Sequence, residues 1–282
     1  MTELEREIYE YSHEILKMGN DSFNSACPHQ FEHTERCIEV PWLASRLNKY
    51  KIGSLLDIGF TFASHDYLRM ILDWGKEKGH KLHGTDIINP EKVQTRYPKE
   101  WWDEISKIRI IMNDISQYSI KNEEYDAVSL ISTMEHIGFD KPSVTVSKSA
   151  FERSKNADEV IRVRSVDTEK RVLNNVAKML KRTGGGYCFV SVPSGKGGSV
   201  LIKDSMDLYG CYWEYEENSW KNIVEHRKFT CLEQRFFIED DKKWKEVGSI
   251  QDLKNVSANM KSYAAGLSVA VLKKRITEGE DE

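Results

Sequence analysis

One short run constrains this chain more than any other. Ser54-Leu-Leu-Asp57-Ile-Gly59-Phe-Thr-Phe-Ala-Ser64 is an apolar strand that ends in a carboxylate, reaches a glycine and turns into a helix. Many nucleotide-cofactor sites begin in this way. Two later apolar runs end alike, Leu82-His-Gly-Thr-Asp86 and Ile108-Arg-Ile-Ile-Met-Asn113-Asp114. Open α/β sheets bind ligands at the carboxyl ends of their strands. Three acidic strand ends therefore suit a ligand with several donors, such as a ribose diol and an adenine amino group.

The rest of the chain alternates regularly. Strands are predicted over 54–58, 81–86, 108–112, 127–131 and 187–192. Between them, Leu68, Ile71 and Leu72 form an apolar helix face after a Ser64 cap, and Val172, Val176 and Leu180 mark a helix over 168–180 that Gly184-Gly185-Gly186 releases. Such alternation predicts an α/β fold: a doubly wound, mostly parallel sheet with helices on both faces. Leu232–Glu239 and Leu267–Leu272 read as two late strands.

Residues 1–50 read as a helical N-terminal extension packing on the core. Leu4, Ile8, Tyr9, Ile15 and Leu16 keep helical spacing up to Gly19, and a second helix is expected over 40–47 with Pro41 in its first turn. The main domain then spans 51–275, and 276–282 is an acidic tail. Two stretches interrupt the main domain. The insertion 139–167, after the fourth strand, is either a lid over the ligand end of the sheet or an ordinary surface insertion. The segment 196–232 carries Tyr209, Tyr212, Trp213, Tyr215 and Trp220 and is expected on the substrate side, where stacking and core packing are its two uses.

Composition narrows the classes. The 282 residues are 39% hydrophobic and 30% charged, which describes one large, well-solvated globular domain. No apolar run approaches bilayer thickness, and the acidic N-terminus lacks a secretory core, so a cytoplasmic location and no membrane partner are expected. A net charge of −4 without a basic block argues against nucleic acid. The five cysteines show no close pairing, so neither a disulfide framework nor a zinc knuckle is expected, and Cys188 reads as a core thiol. His29 and His33 with Glu32 have metal-like spacing only if helical. Pro28 and the polar surroundings suggest a loop, no third ligand is identifiable, and no metal is expected.

In the order and spacing of its motifs the chain resembles the class I S-adenosylmethionine-dependent methyltransferases, over residues 53–193 with a continuation to the last strand. The motifs are Leu-Leu-Asp57-Ile-Gly59, Asp86, Asn113-Asp114, the run from Tyr125 through Glu135-His136-Ile-Gly138, and the run from Met179 through Gly184 to Pro193. The resemblance implies a seven-stranded Rossmann-like sheet with an antiparallel C-terminal edge strand, S-adenosylmethionine as cofactor and a small-molecule acceptor. One departure stands out. Thr61 and Ala63 occupy the second and third positions of the family's glycine-rich turn, and neither takes positive φ as cheaply as Gly. The turn must follow an ordinary backbone path or store strain.

By that resemblance, Asp86 accepts from both ribose hydroxyls and Asp114, beside Asn113, holds the adenine amino group. Asp57 and Gly59 shape the loop at the amino-acid end, and Phe60, Ile87, Ile115 and Ser132 complete the cofactor set. The alternative for the acidic residues is turn or cap chemistry alone. Glu135 and His136 follow strand four at the mouth of the cleft. A sulfonium methyl donor is already activated, so the protein aligns the reactants and removes a proton where the acceptor is a hydroxyl. His136 is the candidate general base and Glu135 its orienting or substrate-binding partner, with packing or capping as the alternative use.

The expected function is methyl transfer to a hydroxyl or aliphatic amine of a small molecule. A saccharide or secondary metabolite is favoured, because similar Ser-Thr-x-Glu-His-Ile-Gly segments occur in enzymes of those pathways. The base-amine turn after strand four is absent, which argues against adenine or cytosine acceptors. The competing readings are an NAD-dependent oxidoreductase, for which the glycine pattern is poor, and a catalytically degenerate binding protein. Nothing in the sequence indicates the oligomeric state.

Overall fold

Apolar runs too short for helices become the centre of one sheet. In the computed structural model, which describes residues 1–19, 21, 23, 34–120, 124–138, 146–147, 165, 167–182, 185–203, 208–241, 243–258 and 264–276, these strands are β1 (Ser54–Ile58), β2 (Lys81–Asp86), β3 (Arg109–Met112), β4 (Ala127–Ile131) and β6 (Tyr187–Pro193). All five run parallel. With β9 (Phe229–Asp240), β10 (Lys243–Val247) and β11 (Gly266–Lys274), the order across the sheet is β10-β9-β11-β6-β4-β1-β2-β3. Every residue of β1 and β4 is buried, as parallel strands covered on both faces require.

The doubly wound α/β core follows the sequence reading, with two differences. The antiparallel C-terminal strand β11 is not at the edge: it lies between β6 and β9. A further strand, β10, pairs with β9 and makes an eighth. Its sequence, Lys243-Trp-Lys-Glu-Val, gave no apolar alternation to read, and its charges suit an exposed edge that must not recruit another chain.

Helices cover both faces. On one side lie α1 (Glu3–Met18), α2 (Arg36–Lys49) and α3 (His65–Lys76), with α4 (Lys99–Ile105) nearby. On the other lie α5 (Thr168–Met179) and α6 (Glu217–Val224), whose Val172, Val176, Trp220 and Ile223 pack on β4 and β6. A capping box between Thr2 and Glu5 opens α1, and left-handed Gly19 closes it.

Helix α2 begins earlier than its apolar pattern suggests, so Pro41 lies inside it rather than in its first turn. An internal proline costs about 3 kcal/mol. The helix is buried from Cys37 to Leu47, between α1 and the sheet, and Trp42, Leu43 and Leu47 at about 1.5–3 kcal/mol each offset that cost. Trp42 meets Phe189 edge-on at 6.2 Å and donates to Glu233 at 3.2 Å, and Arg46 pairs with Glu233 at 2.9 Å. The extension is thus built into one layer of the core.

A second, antiparallel sheet consists of β5 (Val146–Ser147), β8 (Leu208–Glu214) and β7 (Gly198–Lys203), in that order. Strand β8 packs against the 3₁₀ turn Met134–His136 that follows β4. Of the 139–167 insertion only 146–147, 165 and 167 are described, so the lid expectation, like His29, Glu32, His33 and the acidic tail, lies outside the described residues. Among the described residues no helix is long and apolar enough to cross a membrane.

Candidate active site at the strand ends

Strand order reverses between β1 and β4, so their carboxyl ends open a crevice at the topological switch point. Gly59 lies on one wall with φ 87°, and a Cβ there would sit 2.5 Å from Thr133 Oγ1 on the other. Both the left-handed backbone and the missing side chain are required. Phe60–Phe62 then form a 3₁₀ turn and Ala63 is extended at φ −54°, so Thr61 and Ala63 never need positive φ. The departure from the glycine-rich pattern is absorbed by an ordinary, unstrained path. Gly59→Ala should cost about 2 kcal/mol in urea unfolding. Thr133→Ala should relieve part of that loss in a double-mutant cycle, and strict additivity would show that the two walls do not touch.

Asp57 is buried, and its Oδ1 accepts from Tyr67 Oη at 2.5 Å and from Ser129 Oγ at 2.6 Å. Burial pushes its carboxyl up to about 7 against those two hydrogen bonds. An unfolded Asp titrates near 4, so between about pH 4 and about 7 the folded state holds the extra proton. Asp57 therefore contributes stability that is complete below about pH 4 and lost as pH rises to about 7. Chemical denaturation across this range should show the decline, and Asp57→Asn should flatten it. An unchanged slope in the variant would assign it to other groups.

Asp86, at the end of β2, ties the two loops together. Oδ2 accepts from the Thr61 backbone N–H and Oδ1 from that of Ile88, both at 3.0 Å. Desolvation raises its pKa and these bonds oppose it. Turn chemistry is thus present, and the Thr61 hydroxyl and the Ile87 backbone N–H add to it. Next to it Ile87 is 55% exposed and Met112, at the end of β3, is 49% exposed, two apolar side chains at a polar strand end. Asp114 is exposed, and its Oδ1 caps its own turn by accepting from Ser116 N at 2.9 Å and Ser116 Oγ at 2.7 Å. Asn113 donates to Tyr118 O at 3.0 Å.

Two candidate side chains turn away from this surface. Phe60 is buried against Gly84, where a Cβ would lie 2.8 Å from its ring. Ile115 is buried in the core on the α5 side. Only their backbones remain at the strand ends, because a lone apolar residue beside a strand end is claimed by the core.

Across the crevice, Ser132 adopts φ 44°, a strained conformation for a non-glycine residue at the end of β4. Its Oγ donates to Glu39 Oε1 at 2.7 Å, and Ser191 Oγ donates to the same oxygen at 2.6 Å. Arg36 Nη1 bonds the other Glu39 oxygen at 2.8 Å. Glu135 is 3% exposed, and its carboxyl is held well above the usual range by burial and by Glu39 and Glu35, against Arg36. His136 Nε2 lies 3.9 Å from Glu135 Oε1, beyond hydrogen-bond distance, on a side chain 40% exposed. Its ring meets Tyr212 of β8 edge-on at 6.2 Å.

Sequence reasoning missed Glu35, Arg36 and Glu39, which the start of α2 brings over the ends of β4 and β6. The signal was three charges at the start of a helix whose centre, Val40 to Ala44, is apolar. The aromatic segment mostly disappears into the core: Tyr215 and Trp220 are fully buried, and Trp213 alone of the described rings is part-exposed.

No family model and no curated protein sequence matches the chain. Solved structures resemble it at low identity. A SAM-dependent methyltransferase from Methanosarcina mazei is 13% identical, with 79% of this chain and 93% of that one covered and a TM-score of 0.47. Coclaurine N-methyltransferase bound to N-methylheliamine and SAH is 12% identical, with 96% and 87% covered and a TM-score of 0.49. A S-adenosylmethionine-dependent methyltransferase from Clostridium acetobutylicum is 11% identical, with 82% and 89% covered and a TM-score of 0.45. No residue role follows from likenesses at this level.

Proposed function

We propose that this chain is an S-adenosylmethionine-dependent methyltransferase acting on a hydroxyl or aliphatic amine of a small molecule. The observation that carries the reading is Asp86: a carboxylate at the end of β2, fixed at the mouth of the crevice by backbone donors from the loops after β1 and β2, where a ribose diol would be bound. The crevice fits such a cofactor. Gly59 keeps the backbone turn close at the end of β1, Ile87 and Met112 offer apolar contact beside Asp86, and exposed Asp114 is an acceptor for an adenine amino group.

The bound cofactor supplies a methyl group already activated on sulfonium. The chain's own residues then hold and deprotonate. Asp86 and Asp114 fix the nucleoside, Asp57 braces the turn through Tyr67 and Ser129, and the Ser132–Glu39 bond holds the opposite wall. Buried Glu135 and exposed His136 stand on the acceptor side as the two proton acceptors.

The competing readings are less well supported. Insertion of antiparallel β11 departs from the 3-2-1-4-5-6 order of dinucleotide-binding sheets. The unstrained turn at Thr61 and Ala63 removes the argument for a degenerate site. For a saccharide acceptor, the one part-exposed ring among the described aromatic side chains of β8 and α6 is Trp213. The net acidic charge and acidic crevice favour a small molecule over nucleic acid as partner. Calorimetric titration with S-adenosylmethionine, S-adenosylhomocysteine and NAD tests the assignment: the first two should bind at micromolar levels and NAD should not. Binding of NAD alone would overturn it.

A further inference from the structure

The acceptor side of the crevice carries more buried acid than its one guanidinium can neutralise. Glu35, Glu39, Glu135 and Asp66 all lie within electrostatic reach of Arg36, which is hydrogen-bonded to Glu39. Glu39 is fully occupied by Ser132, Ser191 and Arg36. Glu35 receives the Ala264 backbone N–H, but its Oε2 is buried with no hydrogen-bond partner among the described residues. Independently, the Tyr212 hydroxyl is buried with no hydrogen-bond partner among the described residues, on a residue only 5% exposed. Tyr212 lies against His136 and within the electrostatic reach of Glu214, Glu35 and Glu135. Glu214, the other acid of this wall, is occupied by the backbone N–H groups of Gly197 and Ala258.

A buried hydroxyl and a buried carboxylate oxygen left unmatched on the same acidic side of the crevice, within electrostatic reach of each other, cost free energy unless a ligand supplies donors and positive charge. We infer that this side of the crevice receives the acceptor as an ammonium ion held by Glu35 and the Tyr212 oxygen, so that the atom methylated is an amine nitrogen. The inference rests on the methyltransferase reading above. An ammonium has no lone pair, so its N–H bond must break first, the proton passing to the Glu135 carboxylate. The freed nitrogen pair then forms the N–C bond while the methyl–sulfur bond breaks, its electrons staying on sulfur. The product is an N-methylammonium ion and S-adenosylhomocysteine. Burial raises the pKa of both Glu35 and Glu135, which brings the proton affinity of carboxylate and amine closer together. His136, exposed and 3.9 Å from Glu135, offers the way out for the proton.

The test is calorimetry in two stages. S-adenosylhomocysteine is titrated first, and failure to bind would overturn the methyltransferase reading and this inference with it. The loaded protein is then titrated with methylammonium and methanol, and with benzylamine and benzyl alcohol. At least one amine should bind about tenfold more tightly than its paired alcohol, and Glu35→Gln and Tyr212→Phe should each weaken it about tenfold with S-adenosylhomocysteine affinity unchanged. If the cofactor product binds but neither amine exceeds its alcohol, or if both variants keep full amine affinity, this side of the crevice is not an ammonium site.

Discussion

Asp86→Ala should lower affinity for S-adenosylhomocysteine by about a hundredfold, on the order of 2.7 kcal/mol. The variant loses two charge-assisted acceptors for the ribose and also frees the Thr61 and Ile88 N–H groups that now fix the turn. Asp86→Asn separates the two effects, because an amide keeps one acceptor oxygen and should fall between. Asp114→Ala should cost much less, since an adenine amino group gives one bond and Asp114 already serves its own turn. Calorimetry on the three variants decides the matter. Unchanged affinity in Asp86→Ala would reduce Asp86 to a loop brace.

The second large effect is expected in turnover rather than binding. Glu135→Gln should lower kcat by a factor of about a hundred to ten thousand, the range of a positioned base, with S-adenosylhomocysteine affinity retained. Glutamine keeps the volume of this buried side chain and removes its ability to accept a proton, so the fold should tolerate it. His136→Asn should cost less, because an exposed imidazole that passes the proton on can be replaced by water. The pair of variants is informative. Equal losses in both would return the base role to His136, and full turnover in Glu135→Gln would leave Glu135 a packing residue.

How much of this was legible beforehand follows from the range of each signal. The five parallel strands, the turn at Gly59 and the carboxylates at Asp57, Asp86 and Asp114 are local patterns: apolar runs of strand length, a glycine, an acidic residue at the run's end. Such features act over a few residues, so the chain alone determined the doubly wound core and where its acidic strand ends lie. The side chains of Phe60 and Ile115 are buried, because an apolar side chain at a strand end has two destinations and local pattern does not choose between core and cleft.

The rest was decided in three dimensions. The charged strand β10 has no apolar signature and exists because β9 offers it an edge. Likewise α2 runs through Pro41 only because it is buried on all sides. The acidic half of the site is the clearest case. Glu39 meets Ser132 and Ser191 across 93 and 152 residues of sequence, and Tyr212 reaches His136 from a separate sheet. Proximity of that kind is created by packing one layer across the ends of another, and it leaves no mark on the residues nearby in sequence. What the chain encodes locally is a row of acidic strand ends; the charge on the far side of the crevice arises only when α2 closes over it.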